Sequence, residues 1–193
     1  MLTIVALLTG TVACVPVLTS PDGGGGDQTW IAPENGWPTA TPPAGLQSEG
    51  FDPGEVIPDF RMMDQHGEEV ALWQFYGSVV VVDVSTMWCG PCQQLAEHVQ
   101  AMADDYRDEG VVYLSIFPQD VGNEIPEQDD LQMWGENFGI TEPLLSDATG
   151  WSYQVVPDNA FPGVLIVDRD LTVLTRVTPP QDAAIEAAID AAL

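Results

Sequence analysis

The run Val79–Val84 (VVVVDV) is β-branched at every position but one. A strand of that composition has no face to give to water, so it belongs inside a sheet covered on both sides. A second such run, Val111–Phe117 (VVYLSIF), follows it. Between them Leu95, Val99, Met102 and Tyr106 recur at three- and four-residue spacing, the period of an amphipathic helix, and Gly110 closes it. Strand, helix and strand at this spacing predict a right-handed βαβ unit.

The junction between the first strand and the helix reads Trp88-Cys89-Gly90-Pro91-Cys92. There the unpaired N–H groups of the helix start and the helix dipole stabilise a thiolate, the form of cysteine that attacks a disulfide. The placement predicts an exposed, nucleophilic Cys89. Cys92, one turn further in, is predicted to be buried and able to close a small disulfide ring. Pro91 sits where a helix has no N–H bond to lose.

The third cysteine, Cys14, stands alone near the N-terminus. Three cysteines make no disulfide framework, and one C-x-x-C is half a zinc site at best. His66 and His98 have no matching ligand spacing, so no metal is expected.

The remaining segments complete a sheet. Ile57–Phe60 followed by Asp64–Val70 suggests a hairpin with a turn at Gly67. Residues 118–160 carry acidic loops and a short helix around Leu131–Phe138. Gly163–Asp168 and Leu171–Val177 read as a hairpin turning at Arg169-Asp170. Thr178-Pro179-Pro180-Gln181 fits a capping box with proline at the first helical position. It would open a last helix that buries Ile185, Ala188, Ile189 and Ala192. A mixed sheet with helices on both faces is the economical assembly. Trp134 and Trp151 are read as packing residues, with a substrate groove as their alternative use.

A chain of 193 residues with 45% hydrophobic content suits one packed domain with length to spare. It carries 30 acidic residues, four arginines and no lysine, a formal charge of -26. That charge repels nucleic acid and anionic lipid headgroups, which excludes nucleic-acid binding, and reads mainly as a solvated acidic surface.

Residues 1–13 (MLTIVALLTGTVA) form an apolar, uncharged stretch of signal-peptide length. Thr11-Val12-Ala13-Cys14 resembles a bacterial lipobox, which implies lipid attachment at Cys14. Residues 14–50 are rich in glycine and proline and read as a flexible tether, with Trp30, Ile31 and Trp37 as residues able to dock. The expected domain covers residues 51–193.

The WCGPC stretch resembles the active-site motif of the thioredoxin superfamily. The stretch from Ile57 to Val84, with the long gap between Phe117 and Pro162, resembles the TlpA/ResA type and the related redoxin and peroxiredoxin branch. The resemblance implies an α/β thioredoxin-like fold: a mixed central sheet flanked by helices, with an N-terminal hairpin extension and a central insertion. It implies a thiol–disulfide oxidoreductase that reduces disulfides of extracytoplasmic proteins. Cys89 and Cys92 would be the catalytic pair, in a motif completed by Trp88, Gly90 and Pro91. No cofactor is expected beyond their own disulfide. Its partners would be protein disulfide substrates and a membrane thiol donor, on the periplasmic side of a bacterial membrane.

Two further positions follow from the resemblance. Asp83, six residues before Cys89, matches a buried acid that accepts the Cys92 proton, its alternative being a strand end facing solvent. Phe161-Pro162 matches a cis-proline loop that pairs with substrate backbone, its alternative being an ordinary trans proline. Gly163 departs from the threonine often found next. Two other functions stay in view: a peroxidase, since Thr86-x-x-Cys89 resembles part of a peroxiredoxin motif, and a copper chaperone.

Overall fold

A computed structural model describes residues 30–193; the signal-like stretch, Cys14 and the glycine run lie outside the described residues. The chain forms β1 (Arg61–Asp64), β2 (Glu69–Ala71), β3 (Val79–Val84), α1 (Gly90–Tyr106), β4 (Val111–Phe117), α2 (Gln128–Phe138), β5 (Leu144–Ser146), β6 (Gly163–Val167), β7 (Val173–Val177) and α3 (Asp182–Asp190). The strands make one mixed sheet in the order β2-β1-β5-β4-β3-β6-β7. β3 pairs in parallel with β4 and β4 with β5, while β6 lies antiparallel against β3. The two apolar runs are thus neighbouring central strands, and every residue of both is buried.

Strand alternation divides the core into two layers. Val79, Val81, Tyr113, Phe117, Val164 and Ile166 face one side, with Leu95 and Val99 of α1, Leu131 and Trp134 of α2, and Ile185 and Ile189 of α3. Val80, Val82, Val84, Leu114, Ile116 and Leu165 face the other, against Ile57, Phe60, Trp73 and Phe75. All three α-helices therefore lie on one face of the sheet, not on both as expected. The opposite face is roofed by irregular chain: residues 51–60, the 3-10 turns at Leu72–Phe75 and Trp151–Gln154, and part of the stretch read as a tether.

Over residues 30–50 the docking alternative holds rather than the loose one, because both tryptophans find partners. Trp30 Nε1 donates to Asp59 Oδ2 at 2.8 Å and Trp37 Nε1 donates to Asp64 Oδ2 at 2.6 Å. Asn35 and the fully buried Gln74 exchange amide hydrogen bonds at 3.0 Å. Each of these half-buried indoles contributes about 1 kcal/mol, which offsets the ordering of about one residue of chain. Ile31 does not dock; it is exposed.

Local signals explain most boundaries. The β1–β2 hairpin turns at Gly67, whose φ of 76° is the left-handed conformation that glycine adopts freely. The last helix starts later than its capping pattern predicts. Thr178-Pro179 is a cis peptide, Gln181 is the N-cap without a side-chain cap bond, and the helix begins at Asp182. Trp134 and Trp151 both pack internally, Trp134 on Phe117 and Phe138, Trp151 on Phe51 and Phe60.

Candidate active site

β3 ends at Val84, the chain crosses Ser85–Trp88, and α1 starts. Cys89 is the N-cap of α1, with extended backbone, and Cys92 is in the first turn. The two cysteines are joined as a disulfide, Cα to Cα 5.2 Å. The Cys92 N–H points at Cys89 Sγ at 3.3 Å, so one free donor of the helix start already serves the sulfur that becomes a thiolate on reduction. Gln93 Nε2 donates to Met87 O at 2.8 Å and ties the approach loop to the helix.

Cys89 is less accessible than its position at a helix start predicts, at 5%, while Cys92 is at 1%. The cause is the loop before β6, which lies over it: the Phe161 carbonyl oxygen is 3.6 Å from Cys89 Sγ. Trp88 stands beside it, 46% exposed, its ring edge-on to Phe161 with centroids 6.1 Å apart and its Nε1 bonded to Gln119 Oε1. Cys89 Sγ is thus flanked by the Trp88 ring and the Phe161 loop rather than open to solvent.

The Phe161-Pro162 peptide is cis. Gly163 follows it because Val156 Cγ1 occupies the space a Cβ at 163 would need; the departure from threonine is local packing. The turn leading into this loop is fixed by Asp147, whose carboxylate accepts from Thr149, Gly150 and Ser152. Beside the disulfide runs a groove of about 930 Å³ between Pro91, Gln94 and His98 of α1, the Phe161–Gly163 loop and the chain around Pro179. His98 Nδ1 meets Asp182 Oδ2 at 2.7 Å across it.

Asp83 is 3% exposed and shares the helix-side face with Val79 and Val81, so it does not point to solvent. Burial pushes its pKa up from 3.8 to about 7, against the opposing hydrogen bonds of Ser85 and Tyr113. Sequence reasoning passed over Ser85, Tyr113 and Gln119. The first two carry a legible signal: Ser85 is two residues from Asp83 on one strand side, and Tyr113 is a lone phenol in an apolar strand.

A seven-stranded mixed sheet with a C-x-x-C disulfide at the start of its central helix and a cis-proline loop against the sulfur defines a dithiol–disulfide oxidoreductase of thioredoxin-like fold. The AhpC/TSA family model matches residues 53–176, and the chain belongs to that family. It is 22% identical over 142 residues to the thiol-disulfide oxidoreductase ResA of Bacillus thuringiensis subsp. konkukian, covering 70% of this chain and 75% of that one. It is 23% identical over 122 residues to the thioredoxin-like protein YneN of Bacillus subtilis, covering 62% and 68%. Among solved structures it resembles a thiol:disulfide interchange protein DsbE from Chlorobium tepidum, with a TM-score of 0.62, 24% identity, and coverage of 74% and 99%.

Proposed function

We propose that this dithiol–disulfide oxidoreductase works as a reductant of protein disulfides outside the cytoplasm, tethered through a lipid on Cys14 and resupplied by a membrane thiol donor. The observation that carries the direction is the motif itself: Gly90-Pro91 between the cysteines resembles a reducing thioredoxin rather than a strong oxidant. The extracytoplasmic setting rests on the apolar stretch 1–13 followed by Cys14.

The Cys89 thiolate attacks one sulfur of the client disulfide, forming a mixed disulfide and releasing the other client sulfur as a thiolate that takes up a proton. Cys92 then attacks the Cys89 sulfur, the mixed disulfide breaks, and the second client sulfur leaves. The client leaves with two thiols and this chain with the Cys89–Cys92 disulfide, so two electrons have moved to the client. Asp83 accepts the Cys92 proton, and its pKa of about 7 suits an acceptor at neutral pH. The backbone at Phe161 and Pro162 holds the client's main chain beside Cys89, and Trp88 offers it an apolar surface.

A thiol peroxidase is the second reading, favoured by the AhpC/TSA match and by Thr86, three residues before Cys89, whose buried hydroxyl has no hydrogen-bond partner among the described residues. Val82, where the peroxiredoxin motif has proline, speaks against it. One assay separates the two. The reduced protein is expected to precipitate the insulin B chain by reducing insulin, and to consume hydrogen peroxide no faster than its Cys89→Ser variant. Rapid peroxide consumption with intact insulin overturns the reductase reading.

A further inference from the structure

Among the described residues Asp83 is a buried acid with no cation beside it. The chain has four arginines and no lysine. Arg61 pairs with Glu69, Arg107 with Asp104 and Glu142, Arg169 reaches Glu109 O, and Arg176 reaches Val155 O. A carboxylate buried without a counter-ion is held in its charged form only by hydrogen-bond donors. Two hydroxyls fill that place. Ser85 Oγ donates to Asp83 Oδ1 at 2.8 Å, and Tyr113 Oη lies 3.5 Å from Oδ2, at the limit of a hydrogen bond.

We propose that Ser85 is a positioning residue for the resolving step, its hydroxyl fixing the Asp83 carboxylate as an acceptor for the Cys92 proton, with Tyr113 closing the second oxygen. The inference rests on the proposed role of Asp83. Ser85 is suited to the task because its own position is determined twice over. It is 2% exposed, and its backbone N–H donates to Ile116 O at 3.0 Å, holding it beside β4 just past the end of β3. It follows Asp83 by two residues, so both side chains project to the same side. Tyr113 is locked in the helix-side core, 1% exposed, on the neighbouring strand.

The other groups that face this pair are few. From α1, Cys92 is the buried thiol whose proton the proposal assigns to Asp83. From α3 comes Asp182, whose charge acts on Tyr113 and which is itself paired with His98. From β6, Val164 stands opposite Asp83 and carries no charge. Among the described residues, Ser85 and Tyr113 are the side-chain donors to Asp83.

A donor to the charged form lowers an acid's pKa, so removing it makes Asp83 hold its proton to higher pH. The step that needs ionised Asp83 then moves to higher pH, by about one unit for one hydrogen bond to a charged group. At pH 7 that is a roughly fivefold slower resolution, recovered on raising the pH.

The test is the reaction of the reduced full chain, in a Cys14→Ser background, with the aromatic disulfide 5,5′-dithiobis(2-nitrobenzoate). Attack by Cys89 releases one nitrothiolate, and resolution by Cys92 releases a second. Ser85→Ala is expected to leave the first release unchanged and shift the pH midpoint of the second upward. Ser85→Thr, which keeps a hydroxyl, is expected to restore the midpoint, and Tyr113→Phe to give a smaller shift in the same direction. Should Ser85→Ala leave that midpoint in place while Asp83→Asn slows the second release, the role of Ser85 is overturned and that of Asp83 stands. Should Asp83→Asn itself change nothing, the role of Asp83 falls, and the Ser85 proposal falls with it.

Discussion

Cys89→Ser is expected to lose disulfide exchange entirely, while Cys92→Ser reacts once and stops. The two cysteines differ by one helical turn, and that difference fixes their roles. Cys89 is the N-cap, beside the exposed Trp88 and the groove, and receives the Cys92 N–H. Cys92 is 1% exposed, among the buried residues of α1, so a client sulfur does not meet it directly. A serine at 89 removes the sulfur that caps the helix start beside Trp88 and the Phe161 loop, and a hydroxyl is not ionised near neutral pH to take its place. A serine at 92 leaves the attack intact but removes the group that breaks the mixed disulfide. The check is insulin turbidity for turnover and mass spectrometry of Cys92→Ser after mixing with client, where a single covalent adduct is expected. Turnover by Cys89→Ser, or an adduct on Cys92 in that variant, contradicts the assignment.

Asp83→Asn is expected to stabilise the protein and slow it at once. Burial holds the Asp83 pKa at about 7 in the folded chain, above the 3.8 of an exposed aspartate. The folded state therefore binds this proton more tightly than the unfolded state does. Its contribution is fully present below about pH 4, falls as pH rises from about 4 to about 7, and is level above that. At pH 8 the ionised carboxylate costs as much as about 4 kcal/mol, a cost that asparagine does not carry. Denaturant midpoints at pH 5 and pH 8 check this: the gain for Asp83→Asn should be larger at pH 8. In the same variant, resolution by Cys92 at pH 7 is expected to slow by about 10²-fold, the usual effect of removing a positioned base. Equal stability of the two proteins at both pH values contradicts a buried, uncompensated acid.

Much of this arrangement is legible in the sequence. Val79–Val84 and Val111–Phe117 are apolar on both faces, and only neighbouring central strands use such residues. The position of Cys89 followed from where the strand pattern stops and the helix period starts. The side of the sheet that each helix covers was not legible, because periodicity marks an apolar stripe but not the layer it meets. Trp30, Trp37, Phe51, Phe60 and Trp151 take the place of a second helical layer, and they lie in segments with no period at all. Composition leaves residues 30–50 undecided between a loose tether and docked aromatics, and specific partners such as Asp59, Asp64 and Gln74 decide where they lie. The reduced access of Cys89 was equally hidden, since it depends on Phe161, 72 residues away in the chain. The surroundings of Asp83 sat between these extremes: Ser85 shares its strand side, but Tyr113 needed the β3–β4 register.

The central claim is that Cys89 and Cys92 form a reversible disulfide poised to reduce clients, and its reduction potential tests that most directly. The full chain in a Cys14→Ser background, equilibrated with defined thiol–disulfide buffers, reports it through the fraction of Cys89–Cys92 disulfide. A value near that of thioredoxin, about -270 mV, is predicted. A value near about -120 mV, that of a strong oxidant, or no Cys89–Cys92 disulfide at any buffer ratio, contradicts it.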